Sequence, residues 1–270
     1  MAVPIPDIME TATSNALRLP RLQPFLFARD PLSRAMHAIS GAAREKRARI
    51  FRSTFELTET TLILDLGSET GRNIHAVLRG TPVQPKNVYI CDIHEPLIAA
   101  GAERYGFVPV LARDGEPLSF APQSFDIVYC SSVIEHVTLP KDEVWHERSQ
   151  RRFVEKSHQR QLGFAAEIRR LGRQYFVQTP YRGFPIESHS WLPFMGWLPR
   201  PVLLPVMRCA NAVWVKETNP DWRLLNRREL QELFPDARLV AEKFAGLTKS
   251  LVAVKSDLQP GAAAPASTRA

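Results

Sequence analysis

Cysteine is scarce in this sequence, which has three in 270 residues. Cys91, Cys130 and Cys209 lie far apart, are odd in number and lack the short spacing of a metal or redox motif, which argues against a disulfide framework. Two of them fall within predicted strands, where a free cysteine behaves as a small hydrophobic residue. We therefore expect reduced thiols and a cytoplasmic protein.

Long apolar runs are also lacking. No stretch of about 18 uncharged apolar residues occurs, so we predict no transmembrane helix. No basic region followed by an apolar one opens the sequence, as it would in a signal peptide. Hydrophobic residues make up 44% of the chain, enough for a sizeable core, which excludes global disorder. The length fits one α/β domain with extensions, or two small domains.

Acidic residues are outnumbered, with 28 Asp and Glu against 35 Lys and Arg, for a net charge of +7. This charge suits a nucleic acid, an anionic membrane surface or an acidic substrate as partner. A solvated, arginine-rich surface explains the same charge. We expect no specific nucleic acid, leave peripheral membrane contact open, and predict no particular oligomeric state.

The stretch TLILDLGSETGRN, residues 61–73, is the clearest local pattern. Its apolar start, with Asp65 near the end, predicts a buried parallel strand. Gly67 and Gly71 then bracket a tight turn, and a helix is predicted from Arg72. Glycines at such a turn let a ligand approach the backbone and the helix N-terminus.

The residue at the centre of this turn separates two nucleotide chemistries. A dinucleotide fold requires G-x-G-x-x-G, but Glu69 occupies the second glycine position and would repel a pyrophosphate. S-adenosylmethionine carries an ammonium, which an acid favours. The stretch resembles the first motif of class I S-adenosylmethionine-dependent methyltransferases, matching at Asp65, Gly67 and Gly71 and departing at Glu69. The resemblance implies that these residues and Ser68 contact the cofactor.

Asp92 ends the next predicted strand and is followed by Ile93. A carboxylate there can accept hydrogen bonds from both ribose hydroxyls, with Ile93 against the adenine. The alternative is an ordinary acidic residue preceding the helix that starts at Pro96.

The stretch DGEPLSFAPQSFDIVYCSSVIEHV, residues 114–137, resembles a second motif of the same family. The family pattern is D-x-x-x-L-P-F-x-x-x-S-F-D, an apolar strand, then E-H-V, and Ser119 replaces its proline. The resemblance implies that Asp114 meets the adenine amino group and that Gly115 supplies a backbone N–H. Ser131 and Ser132 would border the methionine moiety and the acceptor.

Strand-like and helix-like segments alternate along the chain, which predicts an open α/β sheet. The predicted strands are Thr61–Leu66, Val88–Cys91, Val108–Ala112, Phe125–Cys130, Tyr175–Gln178, Leu239–Phe244 and Leu251–Lys255. The predicted helices cover 42–55, 72–78, 96–105, 162–171 and 226–233. The resemblance implies a Rossmann-like, mostly parallel seven-stranded sheet with helices on both faces and an antiparallel last strand.

This pattern divides the chain into three parts. We expect a mostly irregular segment over 1–41, a class I methyltransferase domain over 42–255, and a disordered tail over 256–270. Within the domain, residues 180–225 form an insertion or lid on the acceptor side. Its first part, 180–207, is dense in Pro and Trp and shows no helical or strand period.

His136 is the first candidate catalytic residue, because a histidine has a suitable pKa to take a proton from an acceptor hydroxyl. In much of the family the Glu135-His136 pair only shapes the pocket, so this role is left open. An E-x-x-E-H arrangement binds a metal in the small-RNA 3′-end methyltransferases, but Ser132 stands here in place of the first acid. We therefore predict no metal.

Glu187 and His189 are the other candidate catalytic residues. They stand in FPIESHSWLPF, residues 184–194, which resembles a loop after strand five in a bacterial subgroup of the family. Polar groups among large apolar ones need a partner or a ligand when buried. We predict that both face the acceptor, with His189 as proton acceptor and Glu187 either as its orienter or as a ligand of the acceptor hydroxyl. Trp191, Phe194 and Trp197 line an acceptor pocket or, equally well, a satellite core that covers the sheet.

The sequence thus predicts an S-adenosylmethionine-dependent methyltransferase that acts on a small molecule, lipid or glycan precursor, with O-methylation expected. One alternative is an RNA or protein methyltransferase, suggested by the basic stretches 44–52 and 148–173. No N-P-P-Y-type motif follows strand four, which argues against it. The other alternative is a non-catalytic binding module, which the Glu69 substitution would support.

Overall fold

The computed structural model describes residues 41–214 and 216–258. The expectations for residues 1–40 and 259–270 lie outside these ranges. The described chain forms a seven-stranded sheet in the order β3-β2-β1-β4-β5-β7-β6. The strands are β1 (Ile63–Leu66), β2 (Val88–Asp92), β3 (Val108–Leu111), β4 (Phe125–Ser131), β5 (Gly172–Pro180), β6 (Arg238–Phe244) and β7 (Leu247–Lys255).

Strand direction confirms the predicted sheet. β1 to β5 pair in parallel, whereas β7 is antiparallel to both β5 and β6. β5 and β7 are longer than predicted, and they pair with each other from Tyr175 opposite Lys255 to Pro180 opposite Ser250. The start of β5, at Gly172, pairs with β4, and the start of β7, at Leu247, pairs with β6. The fold is the predicted open, mostly parallel sheet.

Six helices are found in the described part of the chain. They are α1 (41–54), α2 (Arg72–Val77), α3 (Glu95–Tyr105), α4 (Gln150–Leu171), α5 (Arg200–Val213) and α6 (Arg227–Leu233). Short 3₁₀ turns cover Pro85–Asn87, Ile134–His136 and Met195–Trp197. Within the described ranges, every helix is too short or too polar to cross a bilayer.

The core lies on both faces of the sheet because neighbouring residues of a strand point to opposite sides. Leu64 and Val128 face α4 and α6, whereas Ile63 and Ile127 face the other side. There Phe51 of α1 is fully buried. α1 therefore packs on this face of the sheet.

α4 is longer than the sequence predicted. It begins at Gln150 rather than near residue 162, and the Ser149 side chain caps it by accepting from the Arg152 N–H. Its charged first half buries only a narrow line of residues, including Phe153 and Ser157. The apolar period was therefore too weak to reveal this half.

α5 corrects the expectation that 180–207 has no regular structure. The helix runs from Arg200 to Val213, with Pro205 in its interior. Leu203 and Met207 are buried in a satellite core with Trp222. Tertiary packing thus maintains a helix that its proline density argued against.

The buried guanidinium of Arg200 anchors the start of α5. It is 1% exposed and donates to the backbone carbonyls of Glu147, Pro220 and Val144. Burial lowers the Arg200 pKa to about 10, so it stays charged at neutral pH. These three bonds join α5 to the loop before α4 and to the segment after α5.

We predict that Arg200→Met lowers the free energy of unfolding by about 3 kcal/mol, because three buried acceptors lose their donor. Chemical denaturation of the purified protein measures this. Arg228→Met, on the exposed face of α6, is the matched control and should change stability little. Equal stability of the two variants would contradict the anchoring role.

Candidate active site

The turn after β1 docks onto the end of β2. The backbone N–H groups of Gly67 and Ser68 donate to the Cys91 carbonyl at 2.8 and 3.1 Å. Leu66 is level with Cys91 on one side and with Cys130 of β4 on the other. The carboxyl ends of three parallel strands therefore meet at one edge, where open α/β sheets bind their ligands.

Gly67 and Gly71 cannot be replaced by a larger residue without strain. Gly67 has φ +71°, and a Cβ on it would lie 2.4 Å from Val133 Cγ2, so no larger residue fits. Gly71 has φ +69° and faces Ile90 and Phe107 at 3.0 Å. Both positions thus require glycine for conformation and for space.

Glu69 adopts the backbone conformation of the glycine it replaces. Its φ is +50°, and its N–H donates to Asp92 Oδ2 at 2.9 Å. The residue is exposed. The turn therefore keeps its shape despite the substitution in the motif.

Asp92 lies where the sequence placed it, at the end of β2. Its other oxygen, Oδ1, accepts from the His94 N–H at 3.1 Å and lies 3.0 Å from His94 Nδ1. Oδ2, which accepts only from Glu69 among the described residues, has a further lone pair for a ligand. Ile93, beside it, is 50% exposed.

Asp65 is a buried carboxyl group on this side of the site. The residue is 3% exposed, and its Oδ2 has no hydrogen-bond partner. Burial, and then the nearby Asp92 charge, raise the pKa of its carboxyl well above the ordinary value. Such a group is stabilised by a cationic or hydrogen-bond-donating ligand.

Asp114 and Gly115 lie in the loop after β3. Both are exposed, and Arg160 of α4 donates to Asp114 Oδ1 at 2.5 Å. Gly115 has φ +80° with open space where a Cβ would lie. Asp114 is thus already paired with a cation across the site edge, a contact that the sequence did not predict.

Ser131 and Ser132 end β4 and are both fixed by β5. Their hydroxyls donate to Gln178 Oε1 at 2.8 and 3.0 Å. Arg47 of α1 donates to Ser131 Oγ at 2.8 Å and forms a buried ion pair with Glu242. The N-terminal helix therefore reaches the site, in a role that the sequence did not reveal.

Glu135 and His189 lie together beyond the ends of β4 and β5. Glu135 is fully buried, and Thr179 Oγ1 donates to its Oε2 at 3.0 Å. Its Oε1 is 3.8 Å from His189 Nε2. Burial lowers the His189 pKa, but the carboxylates of Glu135 and Glu187 outweigh it and raise that pKa to about 9.

Glu187 holds the loop that carries His189. It is 2% exposed; its Oε1 lies 2.5 Å from His189 Nδ1, and its Oε2 accepts from the Ser190 N–H at 2.6 Å. Burial alone would raise the Glu187 pKa, but the His189 contacts lower it below its ordinary value. The carboxylate therefore orients the His189 ring.

His136 joins the same cluster from the turn after β4. Its ring centroid is 4.6 Å from that of His189, and its Nδ1 is 3.3 Å from Asp221 Oδ1. Trp222 stacks on His189 at 5.8 Å. The structure thus brings together the three predicted catalytic residues and adds Asp221, which no spacing in the sequence marked.

Two of the three aromatic residues predicted to line the acceptor pocket or a satellite core are exposed on the surface. The satellite core is built from Met195, Trp222 and their neighbours, not from the predicted aromatic residues. Phe194 and Trp197 form an exposed pair, 54% and 50% exposed, with ring centroids 5.2 Å apart. An apolar surface therefore borders the segment after β5.

The sequence and structure were compared with known proteins. Residues 63–151 match the family described as "Methyltransferase domain". No curated protein sequence matches the chain.

Several solved structures are similar in fold. A S-adenosylmethionine-dependent methyltransferase from Aquifex aeolicus is 14% identical, covering 78% of this chain and 87% of its own, with a TM-score of 0.42. The complex of the Haloferax volcanii Trm112 activator and a putative methyltransferase is 11% identical, covering 86% of this chain and 94% of its own, with a TM-score of 0.47. The YcgJ protein of Bacillus subtilis is 16% identical, covering 75% of this chain and 71% of its own, with a TM-score of 0.44. These similarities are too distant to bear on substrate.

The family match and the strand order with its antiparallel β7 define a class of enzyme. The prediction of a class I S-adenosylmethionine-dependent methyltransferase, with S-adenosylmethionine as its cofactor, is confirmed by the match of residues 63–151 and by this strand order.

We predict that Asp65→Asn raises the melting temperature at pH 7 by about 2–4 °C, equivalent to about 1 kcal/mol. The folded-state pKa of Asp65 is raised, so the wild type loses stability as the pH rises above the unfolded carboxyl value of about 3.9. The gain should therefore shrink as the pH falls toward 4. Thermal melts across this range measure it.

Asp257→Asn, an exposed residue, is the control and should show no such gain. A lower melting temperature for Asp65→Asn than for the wild type at pH 7 would show that the carboxylate is satisfied in the folded protein.

Proposed function

We propose that this methyltransferase transfers the sulfonium methyl group of S-adenosylmethionine to an oxygen of a small molecule, lipid or glycan precursor. When bound, the cofactor supplies an already activated methyl group. The protein has to hold it, orient the acceptor and, for a hydroxyl, help remove a proton. The observation that carries the proposal is the pair of acids, Asp65 and Asp92, beside the glycine turn.

The residues on the cofactor side fit this ligand. The unpartnered Asp65 Oδ2 suits the ammonium end, and the remaining lone pair of Asp92 Oδ2 suits a ribose hydroxyl. The exposed Ile93 offers an apolar surface for adenine. Gly115, with open space beside it, can present its N–H to the ring.

The acceptor side combines a polar cluster with an apolar rim. His136 and His189 supply two ring nitrogens near the buried Glu135. Phe194 and Trp197 supply exposed aromatic surface, which suits an apolar or sugar-bearing molecule. A hydroxyl acceptor uses both features.

The basic stretches favour this proposal over an RNA methyltransferase. Arg47 pairs with Glu242, Arg151 with Glu155 at 2.7 Å, and Arg152 with Glu147 at 3.2 Å. Arginines already paired with acids offer less charge to a phosphate backbone. Binding to RNA that persists at physiological salt would favour the alternative.

We predict that Asp92→Ala weakens S-adenosylhomocysteine binding about ten- to a hundredfold, because hydrogen bonds to a charged acceptor contribute about 1.5–3 kcal/mol. Calorimetric titration measures the affinity, and Glu103→Ala on the exposed face of α3 is the control. If Asp92→Ala bound as tightly as the wild type, the ribose assignment would be wrong. No binding by the wild type itself would favour a non-catalytic module.

We predict that His189→Gln lowers turnover at least about a hundredfold but leaves S-adenosylhomocysteine affinity nearly unchanged, because His189 lies on the acceptor side. A methyl-transfer screen over hydroxyl-bearing metabolites first supplies the acceptor. His146→Gln, at an exposed histidine, is the control. Parallel losses of turnover, cofactor affinity and melting temperature would indicate a purely structural histidine.

A further inference from the structure

Glu135, His136 and His189 form a cluster in which one oxygen of the buried Glu135 carboxylate has no hydrogen-bond partner. Each residue offers one donor atom, and the three lie within 4.8 Å of one another. Glu135 is fully buried, and its Oε1 accepts no hydrogen bond. Its neighbour His189 Nε2 is 3.8 Å away, beyond hydrogen-bond distance. A buried carboxylate oxygen without a hydrogen bond is costly, and a metal ion that takes the place of the His189 proton would lie between the carboxylate and the ring.

Both histidines are oriented as metal ligands usually are. Glu187 holds the Nδ1 of His189 at 2.5 Å, and Asp221 lies 3.3 Å from the Nδ1 of His136. The Nε2 atom of each ring is therefore left for another partner. A carboxylate on the far nitrogen of a histidine fixes the ring and raises its basicity as a ligand.

We propose that Glu135, His136 and His189 bind a divalent cation of the zinc type. Two imidazoles and one carboxylate are a donor set found in catalytic zinc sites, which keep a further position open. Bond lengths of about 2.0–2.2 Å place tetrahedral donors roughly 3.4 Å apart, so the cluster contracts on binding. The His136 side chain is 35% exposed and has the most freedom to move.

The cation gives the acceptor side a defined chemistry, in a step that rests on the proposed function. Its open position takes an oxygen of the acceptor, and coordination lowers the pKa of a hydroxyl there. The O–H bond then breaks and the proton passes to solvent. His136 and His189 act as ligands in this arrangement, in place of proton acceptors. The favoured acceptors are alcohols and phenols.

This site revises the expectation of no metal. That expectation compared neighbouring positions in the sequence, where Ser132 replaces an acid. The structure instead supplies a third donor from His189, in the loop beyond β5. The tertiary fold, not the local motif, assembles the donor set.

The test is metal binding by the full chain without cofactor or acceptor. The purified protein is stripped with EDTA and titrated with Co²⁺ and Zn²⁺, with visible absorption reporting the Co²⁺ geometry and calorimetry the Zn²⁺ affinity. We expect about one ion per chain and the visible bands of a four- or five-coordinate site. Glu135→Gln and His136→Gln should abolish both signals. Asp221→Asn, which removes the orienting charge, should weaken affinity about 10- to 100-fold.

His146→Gln is the matched control and should bind as the wild type does, since His146 contacts only the Asp142 carbonyl through Nδ1. Thermal melts establish that each variant folds, and His136 is exposed enough for its replacement to be tolerated. Absence of binding by the wild type, or equal affinity in wild type and His136→Gln, would overturn the proposal.

S-adenosylhomocysteine titration of the same wild-type sample separates the two proposals. If the metal signal is absent and the cofactor binds, the cation site is wrong and the methyltransferase function stands. If the cofactor fails to bind and Co²⁺ binds, the cation site stands on its own.

Discussion

Burial of Glu135 at the end of β4 is the constraint on which the acceptor side of this enzyme depends. Its backbone carbonyl accepts from the Arg223 N–H at 2.7 Å, and its side chain accepts from Thr179 of β5. Gln161 of α4, also fully buried, donates to the carbonyls of Ile134 and Arg223 at 2.8 and 3.3 Å. One short turn therefore joins two strands, a helix and the segment before α6. These bonds fix the turn that carries His136.

The two sides of the strand-end cleft share an electrostatic property. Asp65 on one side and Glu135 on the other are each buried with one oxygen unpartnered. A fold selected for stability alone would replace such groups or pair them, because each costs free energy. In the proposed function this cost is offset when a ligand binds. The proposed cofactor side and acceptor side then share one feature, a buried acid that a hydrogen-bond donor or a cation would stabilise.

Structural features set by neighbouring residues could be predicted from the sequence, whereas contacts between residues far apart in the chain could not. The apolar strands, the Gly67 turn and the helix near 226–233 are local, and all were predicted; this helix is α6, which Asn226 caps. The His136–Asp221 contact joins positions that no periodicity or spacing connects. The sequence did not predict α5, because its prolines argue against a helix. The burial of Met207, which favours the helix, is visible only in the structure. The candidate site residues and the Glu187–His189 pair could be named from the sequence, but the His136–Asp221 contact could not.

The Glu69 substitution shows why a motif position can change while its structure stays. Gly67 is required because Val133 leaves no room for a Cβ, whereas the position of Glu69 requires only a left-handed backbone. A non-glycine residue adopts that conformation at a cost of about 1–2 kcal/mol, and its hydrogen bond to Asp92 helps to offset it. The side chain itself lies in solvent at the edge of the turn. At this position the turn therefore depends on a left-handed backbone and a hydrogen bond to Asp92, and Glu69 supplies both.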